Sequence, residues 1–305
     1  VVIPAFNAGG FLVEAVASVL AQTRPTVQII VVDDGSTDRS VDAVAHLPVT
    51  ILATGGGALA AGARNTGLKA CSGEFVAFLD ADDIWDIDHL ATLLDLAARF
   101  PAADLFYSRI RRIGEYPGDA DVWGPDRTPW NPTIALIQGN RIQPSATMVR
   151  RTALARLGEF RAEFPGVEDL DLWLRVARQA PFVGTHQVTV SYRVHPAQTI
   201  ANKPRMRQSL WAALRAFARE SAGTGDQETQ AQVAEALRRR FRYDLYWAWR
   251  EGDQASLHTL SECVRQLRLG PAAALRTRLV RMVVPAMNLA RTARNRWRAD
   301  RRTPA

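Results

Sequence analysis

The chain is poor in the residues that mark several common protein classes. Cys71 and Cys263 are its only cysteines. That excludes a disulfide framework, and neither has a metal-ligand partner at close spacing, so both are expected to be buried thiols in a reducing compartment. Lysine occurs only at Lys69 and Lys203. No apolar run is long enough to span a bilayer: Leu279-Val280-Arg281-Met282-Val283-Val284-Pro285 is interrupted by an arginine and ends at a proline. No internal repeat or low-complexity linker is found, and no secretory signal is visible in these residues. Val1 already sits in an apolar strand pattern, so residues including the initiator are expected to precede it. The triple Gly55-Gly56-Gly57 is not followed by Gly-Lys-Ser/Thr, and no Gly-X-Gly-X-X-Gly occupies a strand–helix turn. P-loop and Rossmann cofactor sites are therefore unsupported.

What is present describes a folded protein, since 47% of the 305 residues are hydrophobic. The net charge of +7 is unevenly spread: residues 270–305 hold nine arginines and a single acid, Asp300, leaving the other 269 residues close to neutral. The basicity belongs to a tail, which argues against a nucleic-acid-binding protein.

The first hundred residues alternate short apolar runs with helical patterns, the signature of βαβ units. Strands are expected at 1–3, 27–32 and 49–52, with helices at 11–21, around Val41 and Val44, and at 58–70. The run Phe75-Val76-Ala77-Phe78-Leu79 reads as a buried strand. A helix at 88–99 and a strand at 105–113 follow. Residues 114–132 read as a mobile loop. Residues 143–150 are expected to be extended, 151–157 a short helix, 168–178 a helix with Leu172 and Val176 inward, and 182–192 a strand. Beyond residue 205 the pattern is helical, at 205–221, 227–250, 253–268 and 272–300.

Acidic residues collect where the strands end. Asp80 and Asp82 stand at the carboxyl edge of their strand, where open α/β sheets bind ligands. Two hard carboxylates there suit Mg²⁺ or Mn²⁺ on a phosphate-bearing ligand; the plainer reading is a helix N-cap formed by Asp82 and Asp83. Asp33-Asp34-Gly35-Ser36 ends a neighbouring strand and also fits an Asx-turn. Glu168 and Asp169 open a helix behind Pro165-Gly166, where the helix dipole favours an ionised acid and lowers its basicity. Arg64, among alanines, reads alone as a solvated helix residue.

Five segments occur in order: Val1-Val2-Ile3-Pro4-Ala5-Phe6-Asn7, Val31-Val32-Asp33-Asp34-Gly35-Ser36, Ala63-Arg64-Asn65, Phe78-Leu79-Asp80-Ala81-Asp82-Asp83, and Glu168-Asp169-Leu170-Asp171-Leu172-Trp173-Leu174-Arg175. Together they resemble family 2 glycosyltransferases over about residues 1–200. The resemblance implies a glycosyltransferase A-type fold and inverting transfer from a nucleotide-diphosphate donor, expected to be UDP-linked. It assigns Asp80 to the donor ribose, Asp82 to the metal, Asp34 to the donor base, and Pro4 and Phe6 to the flanks of that base; core packing is the other reading of Phe6. Arg64 becomes a donor contact, Asp169 the catalytic base with Glu168 as the alternative, and His195 a residue near the metal or diphosphate. The segment Gln138-Gly139-Asn140-Arg141-Ile142-Gln143-Pro144-Ser145 resembles the family's acceptor side. The Gln-X-X-Arg-Trp motif of processive synthases is missing, so one sugar per encounter is expected.

The expected architecture is α/β: a mixed, mainly parallel sheet flanked by helices over 1–200, a helical extension over 201–270, and a basic amphipathic tail over 271–305. The tail suits two readings, a helix lying on anionic lipid near a lipid-linked acceptor or a helix packed on the catalytic domain. The expected partners are a nucleotide sugar and a glycan or lipid-linked acceptor, with no nucleic acid. The expected location is the cytoplasm, peripheral on the inner face of the membrane, in cell-surface polysaccharide or glycolipid assembly. A haloacid-dehalogenase-type phosphatase and a non-catalytic sugar-nucleotide-binding module are the alternatives.

Overall fold

The computed structural model describes residues 1–26, 28–119, 124–196, 203–222 and 225–267. In chain order its elements begin with β1 (Val2–Ala5), α1 (Phe11–Leu20), β2 (Ile30–Asp33), β3 (Thr50–Ala53), α2 (Leu59–Ala70), β4 (Phe75–Ala77) and β5 (Ile84–Trp85). There follow α3 (His89–Arg99), β6 (Leu105–Gly114), β7 (Gly118–Asp119), α4 (Thr133–Gln138), β8 (Thr147–Arg150), α5 (Arg151–Leu157), α6 (Glu168–Ala177) and β9 (Phe182–Val194). Three helices close the described chain: α7 (Lys203–Glu220), α8 (Gln227–Glu251) and α9 (Gln254–Gln266).

β1, β2 and β3 form a parallel sheet in which Ala5 pairs with Asp33 and Asp33 with Ala53. All three strands therefore end at one edge. A parallel bridge between Val2 and Phe78 joins this sheet to a second one ordered β4-β8-β6-β9-β5, with β7 beside β6. There β6 and β9 make a long parallel ladder, while β8 runs antiparallel to both β4 and β6. The result is a mixed, mainly parallel sheet. Val2, Ile30, Val31, Val32, Phe78 and Leu79 are almost fully buried, as parallel strands covered on both faces require.

Helix α2 lies close on this sheet because Gly67 faces it. A Cβ at Gly67 would meet Val2 Cγ1 at 2.5 Å and Val32 Cγ2 at 3.3 Å. Leu172 and Val176 of α6 are fully buried, as their spacing implies. Several local expectations fail. The stretch around Val41 and Val44 makes only a 3-10 turn, Asp42–Val44. Asp82 and Asp83 precede β5, and helix α3 starts only at His89, so they cap no helix. The 114–132 segment is partly tied down: Gly118–Asp119 pairs with β6, and Trp130 N–H donates to Phe182 O at 3.0 Å. Cys71 is only half-buried, while Cys263 is buried.

The chain divides into two compact units, 1–201 and 202–305. Within the second, α7, α8 and α9 pack around Trp211, whose Nε1 donates to Asp244 Oδ2 at 2.9 Å. Asp226 caps α8 by accepting from Thr229 N, Asp253 caps α9 by accepting from Ser256 N, and Gly252 ends α8 at φ 70°. The basic tail and the helix expected over 272–300 lie outside the described residues. No helix among the described residues is long and apolar enough to cross a membrane.

Gly67→Ala tests the α2 contact. It should cost about 1–3 kcal/mol by overpacking against two valines, read as a lowered thermal midpoint, and an unchanged midpoint would show that α2 can move away from the sheet.

Candidate active site

The strand ends place the predicted residues along one sheet edge. Phe6, just past β1, is 62% exposed, so the core-packing reading of this residue does not hold. Pro4 lies half-buried inside β1. Asp33 makes the expected turn, its Oδ1 accepting from Ser36 N at 2.8 Å.

Asp34 has visible work within the protein. Its Oδ1 accepts from Ala58 N and the Thr54 hydroxyl, and its Oδ2 from Leu59 N at 2.8 Å. A buried carboxylate thus secures the start of α2 and the glycine triple before it. Gly55, Gly56 and Gly57 all have positive φ. A Cβ on Gly35 would sit 3.0 Å from Gly56 Cα, so two glycine backbones meet beside Asp34.

The reading of Arg64 as a solvated helix residue also fails, because the residue is only 4% exposed. Its Nη2 donates to Asp80 Oδ1 at 2.7 Å and its Nη1 to Glu168 Oε1 at 2.8 Å. The guanidinium carbon lies 5.5 Å from the centre of the Phe160 ring, and Nε makes no hydrogen bond. Burial alone would make the cation easier to neutralise. The carboxylates of Asp80 and Glu168 more than reverse that, raising its pKa and keeping it charged. The next residue, Asn65, exchanges two hydrogen bonds with the backbone of Phe160, at 2.8 and 2.9 Å. Helix α2 thereby ties the Asp80 loop to the segment leading into α6.

Three acids follow β4, each with different company. Asp80 N donates to Ser145 Oγ at 3.0 Å. Asp82 Oδ2 lies 3.0 Å from His195 Nε2, and burial followed by the nearby Asp80 raises the Asp82 pKa. Asp83 is fully buried, accepting from Ser145 Oγ at 2.5 Å and from Arg193 N at 2.9 Å. Burial, then Asp82 and Asp80, push its pKa well up. Asp83 is therefore a tie between β9 and the Ser145 turn. His195 reaches Asp82 because β9 runs alongside β5 in the register Ile84 to Ser191, which carries its end to the acid cluster.

At the start of α6 the two candidate bases separate. Glu168 is buried, with Oε1 held by Arg64 and Oε2 accepting from Gly166 N at 2.7 Å. Both its oxygens are engaged, one of them by the buried Arg64 cation. Asp169 is less enclosed as a residue, and its oxygens accept from Leu170 N and Asn140 Nδ2, each at 2.7 Å. Burial of its carboxyl and the adjacent Glu168 push its pKa up to about 7, against the opposing pull of Arg64, Leu170 N–H and Asn140. The helix dipole was expected to keep this acid weakly basic; desolvation outweighs it.

The rest of the α6 motif is structural. Trp173 is fully buried, with Nε1 donating to Ile142 O at 3.1 Å. Arg175 pairs with Asp171 at 2.8 Å and also donates to the carbonyls of Leu157, Gly158 and Glu159. Asn140 and Ser145 were read only as parts of an acceptor-side segment. In the structure one holds the Asp169 carboxylate and the other links Asp80 to Asp83. Their signal was a pair of small polar residues in a turn that leads into the buried strand β8.

The comparisons with known proteins define the class as a glycosyltransferase. The structure resembles that of a fragment of S. aureus TarS in complex with UDP-GlcNAc, with a TM-score of 0.73 over 93% of this chain and 88% of that one, at 16% identity. The description "Glycosyl transferase family 2" matches residues 1–157, and the chain belongs to that family. Among curated relatives, the Escherichia coli UDP-Glc:alpha-D-GlcNAc-diphosphoundecaprenol beta-1,3-glucosyltransferase WfaP is 30% identical over 67% of this chain and 80% of its own length. An uncharacterized glycosyltransferase of Nostoc sp. is 40% identical over 105 residues, and the aligned part spans only 31% of that longer protein. The phosphatase alternative is not favoured by these matches.

The raised pKa of Asp169 has a consequence for stability. An aspartate at about 7 in the folded state and about 3.9 in the unfolded chain makes the unfolded chain bind fewer protons between those values. Stability should therefore fall as pH rises from about 4 to 7, by at most about 1.4 kcal/mol per unit. Asp169→Asn should flatten this fall between pH 5 and pH 8 in urea titrations. A variant with the same pH slope as the native protein would show that Asp169 does not titrate in that range.

Proposed function

We propose that this chain is an inverting glycosyltransferase that moves a single sugar from a UDP-linked donor to a hydroxyl of a lipid-linked saccharide, in the assembly of a cell-surface glycan. The observation that carries the reading is the state of Asp169: a carboxyl poised near neutrality, held by two hydrogen bonds and joined through Glu168 and Arg64 to Asp80. A general base works best with a pKa near the operating pH. WfaP, whose name specifies UDP-glucose and a diphosphoundecaprenol acceptor, supports the donor and acceptor classes.

In this reading the donor lies along the carboxyl edge of the sheet. Phe6 offers an exposed ring to the base beside Pro4, and Asp34 shapes the base pocket by holding residues 54–59. Asp80 meets the ribose, and Arg64 fixes Asp80 in place, so that its effect on the donor is indirect. Asp169 removes the proton from the acceptor hydroxyl as that oxygen attacks the anomeric carbon on the face opposite the diphosphate. Asn140 aims Asp169 and moderates its basicity, while Glu168 raises that basicity without exchanging the proton.

The donor set fits a divalent cation in part. Asp82 and His195 offer a carboxylate oxygen and an imidazole nitrogen 3.0 Å apart; the carboxylate suits Mn²⁺ or Mg²⁺, and the imidazole favours Mn²⁺ over Mg²⁺. No group of three or more metal-ligating side chains occurs among the described residues. The chain would therefore supply Asp82 and His195, leaving other positions to diphosphate oxygens and water. When bound, the cation would neutralise charge on the diphosphate.

Asp169→Asn should lower kcat by about 10²–10⁴ while leaving UDP binding intact, and the native rate should rise with pH to a plateau above about 7. Asn140→Ala should move that rising limb to higher pH, because the variant loses a hydrogen bond that favours the ionised acid. Near-native turnover by Asp169→Asn would remove Asp169 from the base role. UDP and Mn²⁺ together should raise the thermal midpoint more than the sum of either alone, as linked binding requires. Asp82→Ala should abolish that excess, and an excess that survived in the variant would place the cation elsewhere.

A further inference from the structure

Helix α8 carries an outer face that the transfer reaction does not use. Its inner face buries Ala236, Leu237, Phe241, Asp244, Leu245 and Ala248 at three- and four-residue steps. The opposite arc of such a helix is ordinarily charged or polar. Here it presents Tyr243 and Tyr246, 58% and 49% exposed, with Trp247 and Trp249 half-buried beside them. The rings touch one another: Tyr243 and Trp247 centroids are 6.3 Å apart, Tyr246 and Trp247 5.6 Å, and Tyr246 and Trp249 6.2 Å. Four aromatic side chains thus cluster on this outer arc, two of them largely open to solvent.

The charges around the cluster are mainly positive. Arg250 lies 5.1 Å from the Trp247 ring centre and Arg240 lies 5.7 Å from that of Tyr243. Arg238, Arg239 and Arg242 all approach the single carboxylate of Glu235, at 3.2 to 3.4 Å, which one negative charge cannot balance. The other acids nearby are engaged: Asp244 is buried and bonded to Trp211 and Arg240, and Glu251 pairs with Arg207 at 2.8 Å. Tyrosine and tryptophan have an apolar body and a polar tip, which suits the headgroup level of a bilayer, and the arginine surplus complements anionic lipid.

We propose that this tyrosine–tryptophan–arginine face of α8 docks on an anionic lipid surface. The proposal rests on the reading of the acceptor as lipid-linked, since an enzyme held at the bilayer meets such an acceptor where it resides. The docking itself uses residues to which the transfer reaction assigns no role, so donor binding and lipid binding can fail separately.

The test uses the full chain carrying Trp297→Phe, which leaves no tryptophan in residues 268–305. It is titrated with phosphatidylcholine vesicles with and without phosphatidylglycerol. The anionic vesicles should bind it and shift its tryptophan emission to the blue; neutral vesicles should bind at least about tenfold more weakly. Tyr243→Ser with Tyr246→Ser and Trp249→Ser should lose the blue shift and weaken binding about tenfold or more. Arg239→Gln with Arg242→Gln and Arg250→Gln should lose the salt-sensitive part of the binding. Both sets should keep the thermal shift given by UDP with Mn²⁺, which reports a folded donor site. Unaltered vesicle affinity in both sets would overturn the proposal. So would a dimer in lipid-free solution that the aromatic substitutions dissociate, because the face would then belong to a second copy of the chain. Loss of the UDP shift in the native protein, with vesicle binding retained, would count against the donor reading alone.

Discussion

A single buried guanidinium holds the two sides of this site together. Arg64 is surrounded by protein, yet it stays charged because Asp80 and Glu168 each take one of its terminal nitrogens. Each acid belongs to a different part of the site: Asp80 to the loop after β4, Glu168 to the first turn of α6. Removing one partner of a buried ion pair costs about 3–5 kcal/mol, because the remaining charge is left uncompensated. The arrangement is therefore unlike a surface pair, which can be lost at little cost. It fixes the Asp80 loop against the start of α6 and leaves Glu168 close enough to raise the Asp169 pKa.

The same logic divides the acids by task. Asp33 turns the chain, Asp34 starts α2, Asp83 ties β9 to the Ser145 turn, and Asp171 holds Arg175. Each accepts from protein donors, and Asp83 is fully buried between them. Asp82, beside His195, and Asp169, beside Asn140, are both only partly buried as residues and, like Asp83, carry raised pKa values. Carboxylates whose ionised form the protein alone does not fully support suit a cation in one case and a mobile proton in the other.

Much of this was legible in the chain. The apolar runs ending in acids predicted strands with a polar carboxyl edge, and the ordered motifs carried the family. What escaped depended on contacts between distant segments. Arg64 sits in an alanine-rich helix pattern that gives no hint of burial, because Asp80 and Glu168 are 16 and 104 residues away. The sequence gives no sign that Asp34 also accepts hydrogen bonds from Thr54, Ala58 and Leu59. Asn140 resembles any turn asparagine, and only the packing of its segment on α6 brings it to Asp169. The helix expected near Val41 shrank to a 3-10 turn, since Ser40 and Arg39 hydrogen-bond locally to Asp38 and Asp42 in competition with a longer helix.

The central claim is that the fold holds Asp169 as an acid poised between its two protonation states. The most direct measurement is the carboxyl ¹³C shift of Asp169 followed through a pH titration of the native protein, with Asp169→Asn used to assign the signal. The account predicts a midpoint close to 7. A midpoint near that of an ordinary aspartate, about 3.9, would contradict it.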